Sequence, residues 1–122
     1  MTLTLRDTKG SALTYAEMDA NFTHIDLYKS VENVTGGGAL STSTVVSFIS
    51  TTGVESYTLA DGIEGQQKII IMKAHGGNAT VTPTNLVGFT SVRLTGTNNN
   101  FHLLYGSTGW NIIALQQATR IS

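Results

Sequence analysis

Three histidines, His24, His75 and His102, are the side chains of this 122-residue sequence best suited to acid–base or metal chemistry. They are isolated from one another along the chain. The simplest way to gather them is across a threefold axis, where one imidazole per subunit would supply three ligands to a cation. A surface or hydrogen-bonded histidine is the commoner outcome for residues so spaced, and it is the reading adopted for each. Asp61 and Glu64 stand in a glycine-rich stretch whose oxygens suit a cation, but the alternating Asp/Asn ligands of a calcium loop are missing, so an ordinary turn is expected. Gly36-Gly37-Gly38 has no apolar strand before it and no Lys-Ser/Thr after it, so it fails the conditions for a phosphate loop. Glycoside hydrolysis wants two facing carboxylates, whereas the acids are dispersed and Glu55, Asp61 and Glu64 are the ones beyond the glycine run. The chain therefore reads as a non-enzyme, with no catalytic, cofactor-binding or metal-binding residue assigned.

Two further polar features bear on recognition. Asn21, Asn33 and Asn78 open N-x-Ser/Thr sequons, but a chain this rich in Asn, Ser and Thr produces about that many by chance, so they say nothing of glycosylation. Asn98-Asn99-Asn100, followed by Phe101, has the amides and the ring that carbohydrate sites use, and it is the candidate exposed loop. A plain turn competes with that reading, because Asn tolerates left-handed backbone.

The elements that would position these residues fall into two parts. Thr14-Tyr15-Ala16-Glu17 reads as a capping box opening a helix over about 14–30. Within it Tyr15, Met18, Phe22 and Ile25 form one apolar stripe spaced 3, 4 and 3, a candidate docking or oligomer surface. Two heptads are too few to distinguish a helix packed on its own body from one packed between subunits. The glycines at 36–38 then mark a hinge, giving an N-terminal attachment segment over 1–38 and a body over 39–122. In the body Thr44–Ile49, Val54–Leu59, Lys68–Lys73, Ala79–Thr82, Ser91–Thr95, Phe101–Tyr105 and Trp110–Leu115 are β-branched or aromatic segments separated by turn residues. That pattern predicts a mainly β protein with a β-sandwich or jelly-roll-like body. Ile69-Ile70-Ile71-Met72 is apolar on both faces, which predicts a central strand covered on both sides, by a second layer or by another subunit. Phe101–Tyr105 and Trp110–Leu115 read as a hairpin closed by Gly106-Ser107-Thr108-Gly109, and Pro83 ends the strand before it.

Composition narrows the partners. Charged residues make up 12% of the chain, about half the usual share, and Thr, Ser, Asn and Gly fill the gap. A surface so weakly charged offers little resistance to self-association. The formal net charge of −1 and the scattered Lys and Arg leave no basic field for nucleic acid. The absence of cysteine fits folding in a reducing cytoplasm. The opening MTLTLRDTKG lacks the features of a signal peptide, and no apolar run is long enough to span a bilayer, so membrane insertion is not expected.

From Leu5-Arg6-Asp7-Thr8-Lys9-Gly10-Ser11-Ala12-Leu13 through Thr14-Tyr15-Ala16-Glu17-Met18-Asp19-Ala20-Asn21-Phe22, the sequence resembles the N-terminal segment of tail-fibre-like and other virion proteins of bacteriophages, notably marine and cyanobacterial phages. The body, from Tyr57-Thr58-Leu59-Ala60-Asp61-Gly62 through Ala79-Thr80-Val81-Thr82-Pro83 to Leu103-Leu104-Tyr105 and Trp110, is similar to a β module found across phage structural proteins. The resemblance implies a particle component assembled in the host cytoplasm, commonly a homotrimer. Its N-terminal segment would attach to capsid or tail proteins and its β module would be displayed. It brings no catalytic residue. A head fibre, a capsid decoration protein and a small tail appendage fit the short chain better than a long fibre. A host-glycan-binding adhesin module, using Asn98–Asn100 or the Gly106–Gly109 turn, is the alternative.

Overall fold

The computed structural model describes residues 30–122, and the expected helix with its stripe of Tyr15, Met18, Phe22 and Ile25 lies outside them. Among the described residues the protein is all β, with ten strands. The seven segments expected from the sequence all form strands: β3 (Val46–Ser50), β4 (Glu55–Leu59), β5 (Gln67–Ala74), β6 (Ala79–Pro83), β7 (Ser91–Leu94), β8 (Asn100–Tyr105) and β9 (Trp110–Gln116). Three more were not legible: β1 (Val31–Thr35), β2 (Gly38–Leu40) and β10 (Ala118–Ile121).

The strands form two five-stranded sheets, in the orders β1-β3-β5-β8-β9 and β10-β7-β6-β4-β2. From β1 to β6 the chain alternates between sheets, and its successive visits to each sheet pair in parallel, β1 with β3 with β5 and β2 with β4 with β6. Parallel neighbours need a crossover between them. Here each crossover is a strand of the opposite sheet, so the first six strands wind as three coils of a flattened solenoid. The antiparallel strands β7 to β10 then close both sheets at one end. The body is β-sandwich-like, as expected, but the parallel ladders set it apart from an all-antiparallel jelly roll.

Gly36, Gly37 and Gly38 all have positive φ, at 82°, 87° and 117°. A Cβ on Gly37 would stand 2.9 Å from the Ser56 carbonyl oxygen, so the chain passes close against β4 there. The glycine run thus carries the chain from the first sheet to the second, between β1 and β2. The compact unit begins at Val31, before the glycines rather than after them at Ala39.

One continuous core lies between the sheets. Ile49, Ile70, Met72, Phe101, Leu103 and Trp110 from the first sheet meet Tyr57, Leu59, Val81, Val92 and Leu94 from the second, and all of them are fully buried. Burying each large side chain is worth roughly 1.5–3 kcal/mol, which makes this layer the main stabilising feature. Trp110 stacks edge-on against Tyr105 with ring centroids 5.0 Å apart, and its indole N–H donates to the Ala60 carbonyl at 3.0 Å. The predicted hairpin is present, closed by Gly106 N–H donating to Gly109 O at 2.9 Å. Pro83 is the last residue of β6, beyond the part of that strand paired with β7, where its missing N–H breaks no ladder bond to that neighbour.

Candidate functional site

β5 is central in the first sheet, as Ile69-Ile70-Ile71-Met72 predicts. Its inward residues Lys68, Ile70 and Met72 are buried, whereas Ile69 and Ile71 point away from the core and are half-buried. Register shows what surrounds them. One row across the outer face runs Val31, Val46, Ile69, His102 and Ala114. The next runs Asn33, Phe48, Ile71, Asn100 and Gln116. Leu104 extends the apolar surface along β8, and at the bulge in the β8–β9 ladder Ile113 is 54% exposed. No strand among the described residues packs on this face. Neither row holds a formally charged side chain, and Lys73 at the far end of β5 reaches Asn33 Oδ1 at 3.5 Å. Val31, Val46, Phe48, Ile69 and Ile71 thus form a half-exposed apolar patch edged by Asn33, Asn100 and Gln116, a pattern that interfaces share.

A buried charge organises the first coils. Lys68 has no exposed surface, and its Nζ donates to Ser41 O (2.7 Å), Thr44 O (2.9 Å) and Thr44 Oγ1 (2.8 Å). Loss of solvent pulls its pKa down to about 8, against the opposing pull of the Glu32 carboxylate. Glu32 in turn accepts from Ser41 N–H (2.8 Å) and the Ser47 hydroxyl (2.7 Å). A lysine with a lowered pKa resembles a nucleophile. Here its three donors are committed to the β2–β3 connection, so it is a clamp on that loop.

The residues singled out for chemistry are dispersed. His75 Nε2 lies 3.4 Å from Asn78 Oδ1, His102 sits in the apolar outer row, and His24 is outside the described residues. Asp61 receives the Asn85 side-chain amide on both oxygens, at 2.9 and 2.8 Å. The Glu55 carboxyl is held below the usual range by the Thr52 hydroxyl and backbone N–H, which brace the turn before β4. Burial raises the Tyr57 phenol, whose hydroxyl donates to Ser50 O at 3.1 Å and ties the two sheets together. Among the described residues no three His, Asp or Glu side chains gather as a metal would require.

Asn98 and Asn99 form a turn, and Asn100 opens β8 in the outward row. Asn98 is exposed with φ of 71°, whereas Asn99 is 5% exposed and donates to the Gln117 carbonyl at 2.8 Å. Asn100 is the first residue of β8 and its amide donates to Asn98 O and Gln116 Oε1. The tripeptide therefore spends two of its amides on the body. Sequence reasoning missed the outer row of the first sheet. The alternation of Val46 with Phe48 and of Ile69 with Ile71 was visible, but their adjacency depends on parallel register. Neither comparison, with protein families or with curated proteins, gives a match for this chain.

Proposed function

We propose that this chain is a non-enzymatic structural component of a bacteriophage particle, working as a homotrimer that attaches to capsid or tail proteins through its N-terminal segment and displays the β body. The observation that supports self-association is the apolar patch on the outer face of the first sheet, Val31, Val46, Phe48, Ile69, Ile71 and Leu104. Covering such a face removes apolar area from water at about 25 cal/mol per Å². The attachment role rests on the N-terminal resemblance and on the stripe Tyr15, Met18, Phe22 and Ile25. A head fibre, a capsid decoration protein and a small tail appendage are the placements that fit this reading.

Sedimentation equilibrium and native mass measurement test the proposal. A species of three chains at micromolar concentration is expected, and a stable monomer overturns the trimer. Phe22→Asp puts a charge into the middle of the N-terminal stripe, where burial without a partner costs several kcal/mol. It is expected to abolish incorporation into particles or association. Unchanged incorporation together with unchanged mass overturns the role of that stripe.

A further inference from the structure

Where β6 passes to β7, the connecting loop and the β8–β9 turn line an open groove with a volume of about 430 Å³. Its wall is held in place by the body. Thr84 N–H donates to Leu59 O (2.9 Å), Val87 N–H to Trp110 O (2.9 Å) and Thr90 N–H to Ile121 O (2.7 Å), while Trp110 N–H returns a bond to Asn85 O (2.8 Å). Asn85 is fixed further by the Asp61 carboxylate. Gly109 brings the opposite wall in: its φ is 153°, and a Cβ there would stand 2.6 Å from Asn85 O, so only glycine lets the turn close and Thr108 reach the groove. The groove is preformed, and a ligand entering it has little loop ordering to offset.

The lining mixes two kinds of surface. Thr84, Thr90 and Thr108 are its hydroxyl-bearing lining residues and Leu86 and Phe89 its apolar ones, while the Asn85 amide N–H groups are committed to Asp61. No formally charged side chain lines it, and the nearby Arg120 guanidinium is placed over the Phe89 ring, 4.9 Å from its centre. A phosphate or carboxylate ligand calls for Arg or Lys forks in the lining. An added peptide strand calls for free backbone N–H and C=O groups, but three N–H groups of this loop already bond to the body. Hydroxyls both donate and accept. A pyranose presents hydroxyls around its rim and an apolar C–H face, so it matches a lining of threonines beside Leu86 and Phe89.

We infer that this groove is a binding site for a neutral saccharide, with the Thr84–Thr90 loop and Thr108 as its recognition surface. The proposal stands independently of the trimer. It places recognition at the Thr84–Thr90 loop rather than at Asn98–Asn100.

The test is a titration of the isotope-labelled full chain with maltose, cellobiose, lactose and, as a charged contrast, sialyllactose, followed by backbone amide shifts. A groove of this size and openness is expected to give a Kd on the order of 1 mM for at least one neutral disaccharide. The shifts should be confined to residues 82–90 and 108. Thr108→Val and Phe89→Ala should each weaken binding about fivefold or more, with unchanged spectra elsewhere showing that the fold persists. Absence of shifts with every neutral sugar overturns the inference. So do shifts centred on Asn98–Asn100, preference for the charged sugar, or indifference to both variants.

Discussion

Pointing away from the core on the first sheet, one row runs Val31, Val46, Ile69, His102 and Ala114; on the second sheet the corresponding outward row is Ser56, Thr80, Arg93 and Thr119, with Thr58 and Thr82 beside it. Both sheets bury their other face in the same core, and both use alternating strands. They differ in what the outward positions tolerate. Hydroxyls and an arginine are satisfied by water, whereas Phe48 and Ile71 gain only by being covered. Alternation in a strand thus shows that one face is inside, and the chemistry of the other face is what a proposal of a partner must rest on.

A charge on each face separates the two most sharply. If the proposed trimer forms through this face, Phe48→Glu is expected to convert it to monomers at micromolar concentration by native mass measurement, while circular dichroism stays that of a folded β body. Thr58→Glu on the second sheet should leave the mass unchanged and alter stability by no more than about 0.5 kcal/mol. Equal behaviour of the two variants would erase the distinction between the faces.

The inward side of the first sheet has its own polar centre, and Lys68→Met tests it. Removing the ammonium leaves the Ser41 and Thr44 carbonyls without that donor and takes a positive charge from near the Glu32 carboxylate, at a cost of roughly 1–3 kcal/mol in denaturant unfolding. The pH dependence has a definite sign. The folded protein releases the Lys68 proton near pH 8, whereas the unfolded chain keeps it to about 10.5. Between those values the unfolded state binds more protons, so stability rises with pH. The favourable contribution is complete above the unfolded value and is lost as pH falls through about 8. Relative to Lys68→Met, the parent chain should therefore gain stability from pH 7.5 to 10, and a loss over that range would show that Lys68 is not desolvated as described.

The smallest effect concerns the turn before β8. Asn99→Ala removes a buried amide and leaves the Gln117 carbonyl without its donor, an expected loss of about 1–2 kcal/mol. Asn98→Gly sits at φ of 71°, where glycine carries no Cβ penalty, and thermal unfolding should be unchanged or slightly raised. If Asn98→Gly were the more harmful change, the assignment of one outward and one structural amide would be reversed.

Seven strands, the hairpin at Gly106–Gly109, the end of β6 at Pro83 and the central place of Ile69–Met72 were all readable from residue types, because each depends on the chain within a few positions. β1 was not readable: Val31-Glu32-Asn33-Val34-Thr35 is half polar, and only the partners Ser41, Ser47 and Lys68 make Glu32 an inward residue. β2 is three residues beginning with glycine, and β10 follows a turn made by Gln117 at φ of 56°, a conformation its residue type does not announce. Nor did Asn98-Asn99-Asn100 disclose which amide turns inward. The amino-acid order alone determined that the body is β, where most strands lie and that its surface is poor in charge. Tertiary structure decided that visits to the same sheet pair in parallel, that the glycines cross between sheets, and that Val46, Phe48, Ile69 and Ile71 merge into one outer face. Strand formation is local, whereas neighbours in a parallel ladder here are separated by a whole coil of chain, and no short-range pattern records that distance.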